Sequence, residues 1–329
     1  MGKSRANTVK IVSAALFLLV LLVVVPLLIA ATGRSDLYYT LTSVALLSII
    51  SAGVWITFYI GRINIGQGAY ALMGGYVSAS LVMNYGVSFW LTLPLAGLFC
   101  AAASVLIGLP ILRLRGVYFA MVTLVLTEVT RLLALAVPTI TNGASGIVSI
   151  PLPAGISFFG ITLVPDFATL ANPRLAFYIV SVLLMALCFL GLYRLAHSRI
   201  GQLCQSLQQN EELASSIGVN IAYLRVIAYA LSSFLGGVGG AMFASISQSI
   251  YPSSFTVADS VNFMLNCFLG GLGYVLAPML GTFVLYFGWD LLFETGEFQL
   301  LIFSTVLIAL MLVLPNGLLS LTLPHKRRA

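Results

Sequence analysis

Apolar runs of about 20 residues recur along this chain, and a run of that length matches the hydrocarbon thickness that a helix has to cross. They fall at 11–31, 39–60, 66–84, 89–111, 117–137, 174–193, 224–249 and 298–320, with a glycine-broken stretch at 259–293. Backbone in lipid has to satisfy its own hydrogen bonds, so such runs are helices and not open strands. Of the 329 residues only 7% are charged and 60% are hydrophobic, whereas soluble domains carry roughly 25% charged residues. The expectation is an all-α polytopic transmembrane bundle of about eight to ten spans. One transmembrane domain then fills residues 1–329, with Gly-broken or re-entrant segments and no sizeable soluble part.

The net charge of +6 does not mark a nucleic-acid surface, because the basic residues are scattered at the ends of the runs. Lys3, Arg5 and Lys10 lead the chain and Lys326, Arg327 and Arg328 close it, and both groups read as topology signals. The first apolar run is longer than the core of a cleavable signal peptide and is expected to remain as a helix. Placing Arg62, Arg113, Arg115, Arg194, Arg199 and Arg225 in the cytoplasm gives a multi-pass path with both termini cytoplasmic. Loop 138–173 then lies outside and loop 194–225 inside. The path closes if 259–293 turns back on itself, either as a re-entrant hairpin or as a pair of spans. The Pro-rich external loop caps a pathway, docks an external protein or packs on the bundle. Cys100, Cys188, Cys204 and Cys267 stand alone and are expected to be small packing residues, with no metal site.

Two glycine-rich segments mark candidate breaks. Gly61 to Tyr76 holds several glycines beside Asn64 and Gln67, and Gly270, Gly271, Gly273 and Gly281 follow Asn262 and Asn266. Interrupted apolar segments in both halves of a chain point to a central transport site. Tight helix packing through glycine is the competing reading. Within the 117–137 run, Glu128 and Arg131 share a helical face, as a structural ion pair or as a gating element. The internal loop carries an amphipathic pattern, with Leu203, Leu207, Leu213 and Ile217 set against Gln205, Gln208, Gln209, Glu211 and Glu212. Gly218 stops this helix, which has no lipid to face and suits a groove in a partner protein.

No phosphate-cradling loop is present, and His197 and His325 are the only histidines. A self-contained ATPase, a His-based hydrolase and a metalloprotease are therefore excluded, and no catalytic residue or bound cofactor is expected in the chain.

Seven segments occur together in the order found in one known family: Asn64 to Tyr70, Leu112 to Leu124 with Glu128, Thr141 to Ile147, Asn210 to Asn220, Phe234 to Ala244, Gly270 to Gly273, and Pro315 to Leu318. From about residue 40 to Leu321 the chain resembles the LivM-type permeases of ABC importers for branched-chain amino acids, a family that includes importers of urea, amides and other small polar solutes. The resemblance implies a non-enzymatic subunit of a bacterial plasma (inner) membrane, embedded in lipid and forming half of a translocation pathway. Its implied partners are a homologous second permease, two cytoplasmic ATPases that bind the ATP, and an external solute-binding protein. Residues 210–220 look like the segment that couples to an ATPase, with Glu211, Glu212, Ala214 and Gly218 matching the family pattern. Asn64, Gln67, Glu128, Arg131, Asn262 and Asn266 are the candidate pathway residues. An importer of urea, amides or another small polar solute is the nearest alternative. A passive channel, which would need no coupling loop, is the rival from another class.

Overall fold

The computed structural model describes residues 20–32, 36–158, 161–164, 166–167, 169–170, 172–216 and 218–321. The basic residues at both ends of the chain, His325, Ile217 and the first part of the leading apolar run lie outside the described residues.

The α-helices of six or more residues are α1 Val25–Thr32, α2 Asp36–Phe58, α3 Gln67–Tyr85, α4 Phe89–Ile111, α5 Val117–Ala136, α6 Pro173–Ala196, α7 Arg199–Gln209, α8 Glu211–Ser216, α9 Ile221–Ser247, α10 Val257–Gly270, α11 Ala277–Leu291 and α12 Gln299–Val313. Six helical segments are long and apolar enough to cross a membrane: α2, α4, α5, α6, α9 and the stretch Gly296–Ser320 that contains α12. With α3 and the shorter α10–α11 pair packed among them they form a polytopic helical bundle, as expected.

The glycine-broken stretch resolves into two short antiparallel helices. The turn after α10 lies at the arginine-rich end of α2, where the Trp55 indole Nε1–H donates to the Leu272 carbonyl at 3.0 Å. Each helix of the pair has only 14 or 15 residues, about 21 Å of rise. They approach so closely that a Cβ on Gly281 would lie 1.7 Å from the Asn266 carbonyl oxygen and one on Gly270 would lie 1.9 Å from that of Ala277.

Helix α9 is the hub, packing against α2, α3 and α4. Four small residues explain how it reaches three neighbours. Gly236 faces Gln67 and Tyr70 of α3, Gly237 faces Ala96 and Cys100 of α4, Gly239 faces Ile50 of α2, and Gly240 lies against the Ala71 backbone of α3. In lipid no hydrophobic force separates helix from tail, so association depends on close packing, and only glycine permits backbone contact of this kind. By contrast, α12 has no buried residue.

At the end opposite the arginines, α9 runs into β4 (Ser249–Ile250), which pairs antiparallel with β1 (Ile147–Val148). The Pro-rich loop 138–173 therefore packs on the bundle. Trp90 Nε1–H donates to the Ala154 carbonyl at 2.9 Å, and Phe167 sits edge-on to Phe177 with ring centroids 4.9 Å apart. The loop also carries the hairpin β2 (Ile156–Phe158) and β3 (Ile161–Val164).

The packing argument makes a contrast testable. Gly240→Ala drives a methyl to 1.8 Å from the Ala71 carbonyl oxygen and is expected to cost about 1–3 kcal/mol. Gly191→Ala on α6 meets nothing within 4 Å and should be neutral or slightly stabilising. Melting of the detergent-purified protein compares them, and equal melting temperatures would remove the close-contact explanation.

Candidate functional site

The chain between α2 and α3 has no regular secondary structure over residues 62–66, and α3 starts at the fully buried Gln67, inside the bundle and not at its end. Glycine allows this break, since Gly66 lies against the Thr123 backbone, where a Cβ would come within 2.5 Å. Asn64 and Gln67 are both fully buried and knit the break together. Asn64 Nδ2 donates to Gln67 Oε1 at 3.3 Å, and its Oδ1 accepts from the Gly66 amide at 2.9 Å. Gln67 Nε2 donates to the Ser232 carbonyl of α9 at 2.8 Å, and Ser232 Oγ returns a hydrogen bond to Gln67 Oε1 at 3.1 Å. Both side chains are thus spent on fixing α3 against α9 in this conformation.

The N-terminal turns of α3 and α10 meet here. The Gly68 amide donates to Ser260 Oγ at 3.0 Å, and Ser260 Oγ lies 3.1 Å from Thr127 Oγ1, halfway along α5. The capping box Thr256–Asp259 fixes the start of α10. Asn266 is buried and donates from Nδ2 to Ser51 Oγ at 2.9 Å, a bond between α10 and α2. Asn262, one turn earlier, is exposed on the bundle surface.

Glu128 and Arg131 form a two-pronged pair on α5, with Nη2 to Oε1 at 2.6 Å and Nε to Oε2 at 3.0 Å. The pair faces outward from this single chain, at 40% and 29% side-chain exposure, on a helix whose neighbouring residues Val125, Val129 and Leu132 are also exposed.

Loop 194–225 is not the one amphipathic helix that its pattern suggests. It breaks at Asn210, whose φ of −156° is extended, into α7 and α8. The Asn210 side chain caps the new helix, with Oδ1 accepting from the Glu212 and Leu213 amides at 3.0 and 3.1 Å. An asparagine preferring to cap over continuing the helix is the physical reason for the difference. The break re-aims the apolar residues, so that Cys204, Leu207 and Ala214 are buried while Leu203 is 38% and Leu213 63% exposed. Gly218 ends the segment in the left-handed region at φ +82°. Its amide donates to the Ser215 carbonyl at 3.0 Å, and the Val219 amide donates to Ala214 at 3.2 Å.

The two acids of this segment have different surroundings. Glu212 is exposed. Glu211 turns inward, with Oε2 2.6 Å from Arg225 Nη2 on α9 and Oε1 3.1 Å from Arg115 Nη2 at the start of α5. Arg225 is 11% exposed and Arg115 72%, so the first contact carries most of the energy. Arg62 completes the cluster, buried at 4%, donating to the Leu114 carbonyl and lying 5.9 Å above the Phe119 ring. Burial pushes its guanidinium down to about 10, helped by repulsion from Arg225 and opposed by Glu211. Sequence reasoning misses Arg62 and Arg225 as site residues, treating them as topology markers. The available signal is that, among the described residues, Glu211 and Glu212 are the only acids near the end that gathers Arg62, Arg113, Arg115, Arg194, Arg199 and Arg225.

Replacing Glu211 by Gln should lower stability by about 1–3 kcal/mol, since a nearly buried guanidinium loses its counter-charge. Glu212→Gln, at a solvated position, should stay within about 0.5 kcal/mol. Thermal melts of the two variants against the parent check this, and an equal loss in both would deny the difference in surroundings.

Comparison with known proteins agrees with this architecture. A family profile described as "Branched-chain amino acid transport system / permease component" matches residues 37–315. The chain is 34% identical, over 80% of its length, to the high-affinity branched-chain amino acid transport system permease protein LivM of Salmonella typhimurium, and it spans 65% of that protein's length. It is 25% identical to the probable branched-chain amino acid transport permease protein LivH of Methanocaldococcus jannaschii, covering 83% of this chain and 88% of the relative. It is 23% identical to the ribose import permease protein RbsC of Escherichia coli, covering 85% of each. No solved structure matches.

Proposed function

This chain belongs to the family of branched-chain amino acid transport system permease components, and from that premise we propose that it is the membrane subunit of an ATP-driven importer of branched-chain amino acids. It sits in the plasma membrane with its arginine-rich end in the cytoplasm. Two cytoplasmic ATPases bind the ATP and drive it, a homologous permease forms the other half of the pathway, and an external binding protein delivers the solute.

The observation that carries this reading is the arrangement of α8. Its outer face presents Glu212, Leu213, Ser215 and Ser216 to solvent, while Glu211 on its inner face is bonded to the central helix through Arg225 and to α5 through Arg115. A partner that seats Leu213 in a groove and moves α8 pulls on both helices at once. Glu211 is thus the transmitter and Glu212–Ser216 the contact, with Ala214 packing beneath and Gly218 setting the exit of the chain. A passive channel would give this segment nothing to do.

On this reading the pathway runs against α5 and α10. An ion pair at mid-membrane is costly in hydrocarbon and faces a bundle interior or a watery cavity, so the outward face bearing Glu128 and Arg131, with Asn262 of α10, is covered by the second permease. The N-terminal turns of α3 and α10 meet beside Thr127 on the same helix, the arrangement of interrupted helices that suits a central solute site. Asn64, Gln67 and Asn266 position those turns from behind. Branched-chain amino acids as the solute rest on the family alone.

The test is ATP hydrolysis stimulated by loaded binding protein in the complex reconstituted with all its subunits. Leu213→Asp changes an exposed residue, so folding is spared, and stimulation should fall by about tenfold or more with loss of a buried apolar anchor. Gly218→Pro removes an amide donor and forbids φ +82°, and it should abolish stimulation. Full stimulation in Leu213→Asp would end the coupling role of α8.

A further inference from the structure

A cavity of about 200 Å³ opens at the arginine-rich end, between α7, α8 and the turns that precede α3 and α5, and its lining carries Arg62, Arg115 and Arg225 against the single carboxylate of Glu211. Three cations and one anion leave a formal surplus of two positive charges. The hydrogen bonds repeat the imbalance. Glu211 uses its two oxygens on Arg225 and Arg115 at 2.6 and 3.1 Å, while Nη2 of Arg62 and Nε of Arg225 are buried with no acceptor. Arg62 is only 4% exposed, so its guanidinium is largely withdrawn from bulk solvent. Buried donors and charges without partners are costly, and such a site gains by accepting an anion. Burial first, and then repulsion from Arg225, lowers the Arg62 guanidinium to about 10, so it is still protonated at neutral pH and carries its charge in the cavity.

We propose that this cavity binds a phosphate group, free or on the headgroup of an anionic lipid, and that the phosphate competes with Glu211 for Arg115 and Arg225. A tetrahedral oxyanion offers more acceptor oxygens than a second carboxylate would and matches planar guanidinium forks arriving from three separate elements. The location favours it too, because basic pockets among helix ends on the cytoplasmic face are suited to anionic headgroups. Occupation would neutralise the surplus and loosen the bond by which α8 is tied to α9 and α5. Phosphate would in this way set how tightly the segment is held. Binding is a property of the isolated chain, so it stands or falls separately from the importer reading.

The experiment uses the full chain purified in neutral detergent and titrated with inorganic phosphate by calorimetry. In parallel, the chain is placed in nanodiscs of phosphatidylcholine with and without phosphatidylglycerol, and native mass spectrometry identifies the retained lipid. Arg62→Gln should weaken phosphate about tenfold, as expected for a buried charged donor. The solvated Arg115→Gln, which does not endanger folding, should weaken it about threefold. Arg113→Gln, exposed and outside the cavity, should leave it unchanged. Glu211→Gln carries the decisive sign: it should tighten phosphate binding by about tenfold, because two guanidiniums are released. Retention of phosphatidylglycerol that Arg62→Gln abolishes would assign the lipid as source, and saturable phosphate binding without lipid preference would assign the free anion. The proposal is overturned if neither probe binds, if acetate binds as tightly as phosphate, or if Arg115→Gln and Glu211→Gln both leave affinity where it was.

Discussion

Backbone contact at the glycines of the central helix is the constraint on which the rest of the structure depends. Lipid offers a helix surroundings as apolar as another helix, so the bundle is held by approach distance. Gly236, Gly237, Gly239 and Gly240 let one helix touch three others at the level of the main chain. The interrupted start of α3 follows from this, because Gln67 can reach the Ser232 carbonyl only where Gly53 and Gly236 leave room for its amide. The position of Gly68, and through Ser260 that of α10, follows in turn.

Much of the fold is legible in the chain because membrane thickness imposes a length that any long apolar run has to meet. The boundaries of α4 and α5 fall within a residue or so of the apolar runs at 89–111 and 117–137. The pair at 257–291 is less legible, since two helices of 14 and 15 residues are shorter than a usual span and the glycines between them fit a hairpin of either kind. The close contacts at Gly270 and Gly281 are three-dimensional facts that no spacing rule contains.

The site is legible as a segment and not as a geometry. Periodicity finds Leu203 to Ile217 amphipathic, but it assumes one continuous helix, and a single asparagine that caps better than it propagates turns Leu213 outward. Charge identity likewise says nothing of direction. Glu211 and Glu212 are neighbours in sequence, yet one is enclosed by arginines and the other is solvated. Arg62 and Arg225 are 163 residues apart in the chain, and only the packing of α9 beside the α2–α3 turn brings them into one cluster.

The short ladder between β1 and β4 bears on how motion crosses the membrane. Ile250 and Ser249 continue directly from the central helix and are paired with Ile147 and Val148 of the external loop, while Arg225 near the other end of that helix is clasped by Glu211. One continuous helix, Ile221–Ser247, therefore joins the loop cover at one end of the bundle to the carboxylate clasp at the other, a direct link that does not run through the outer helices.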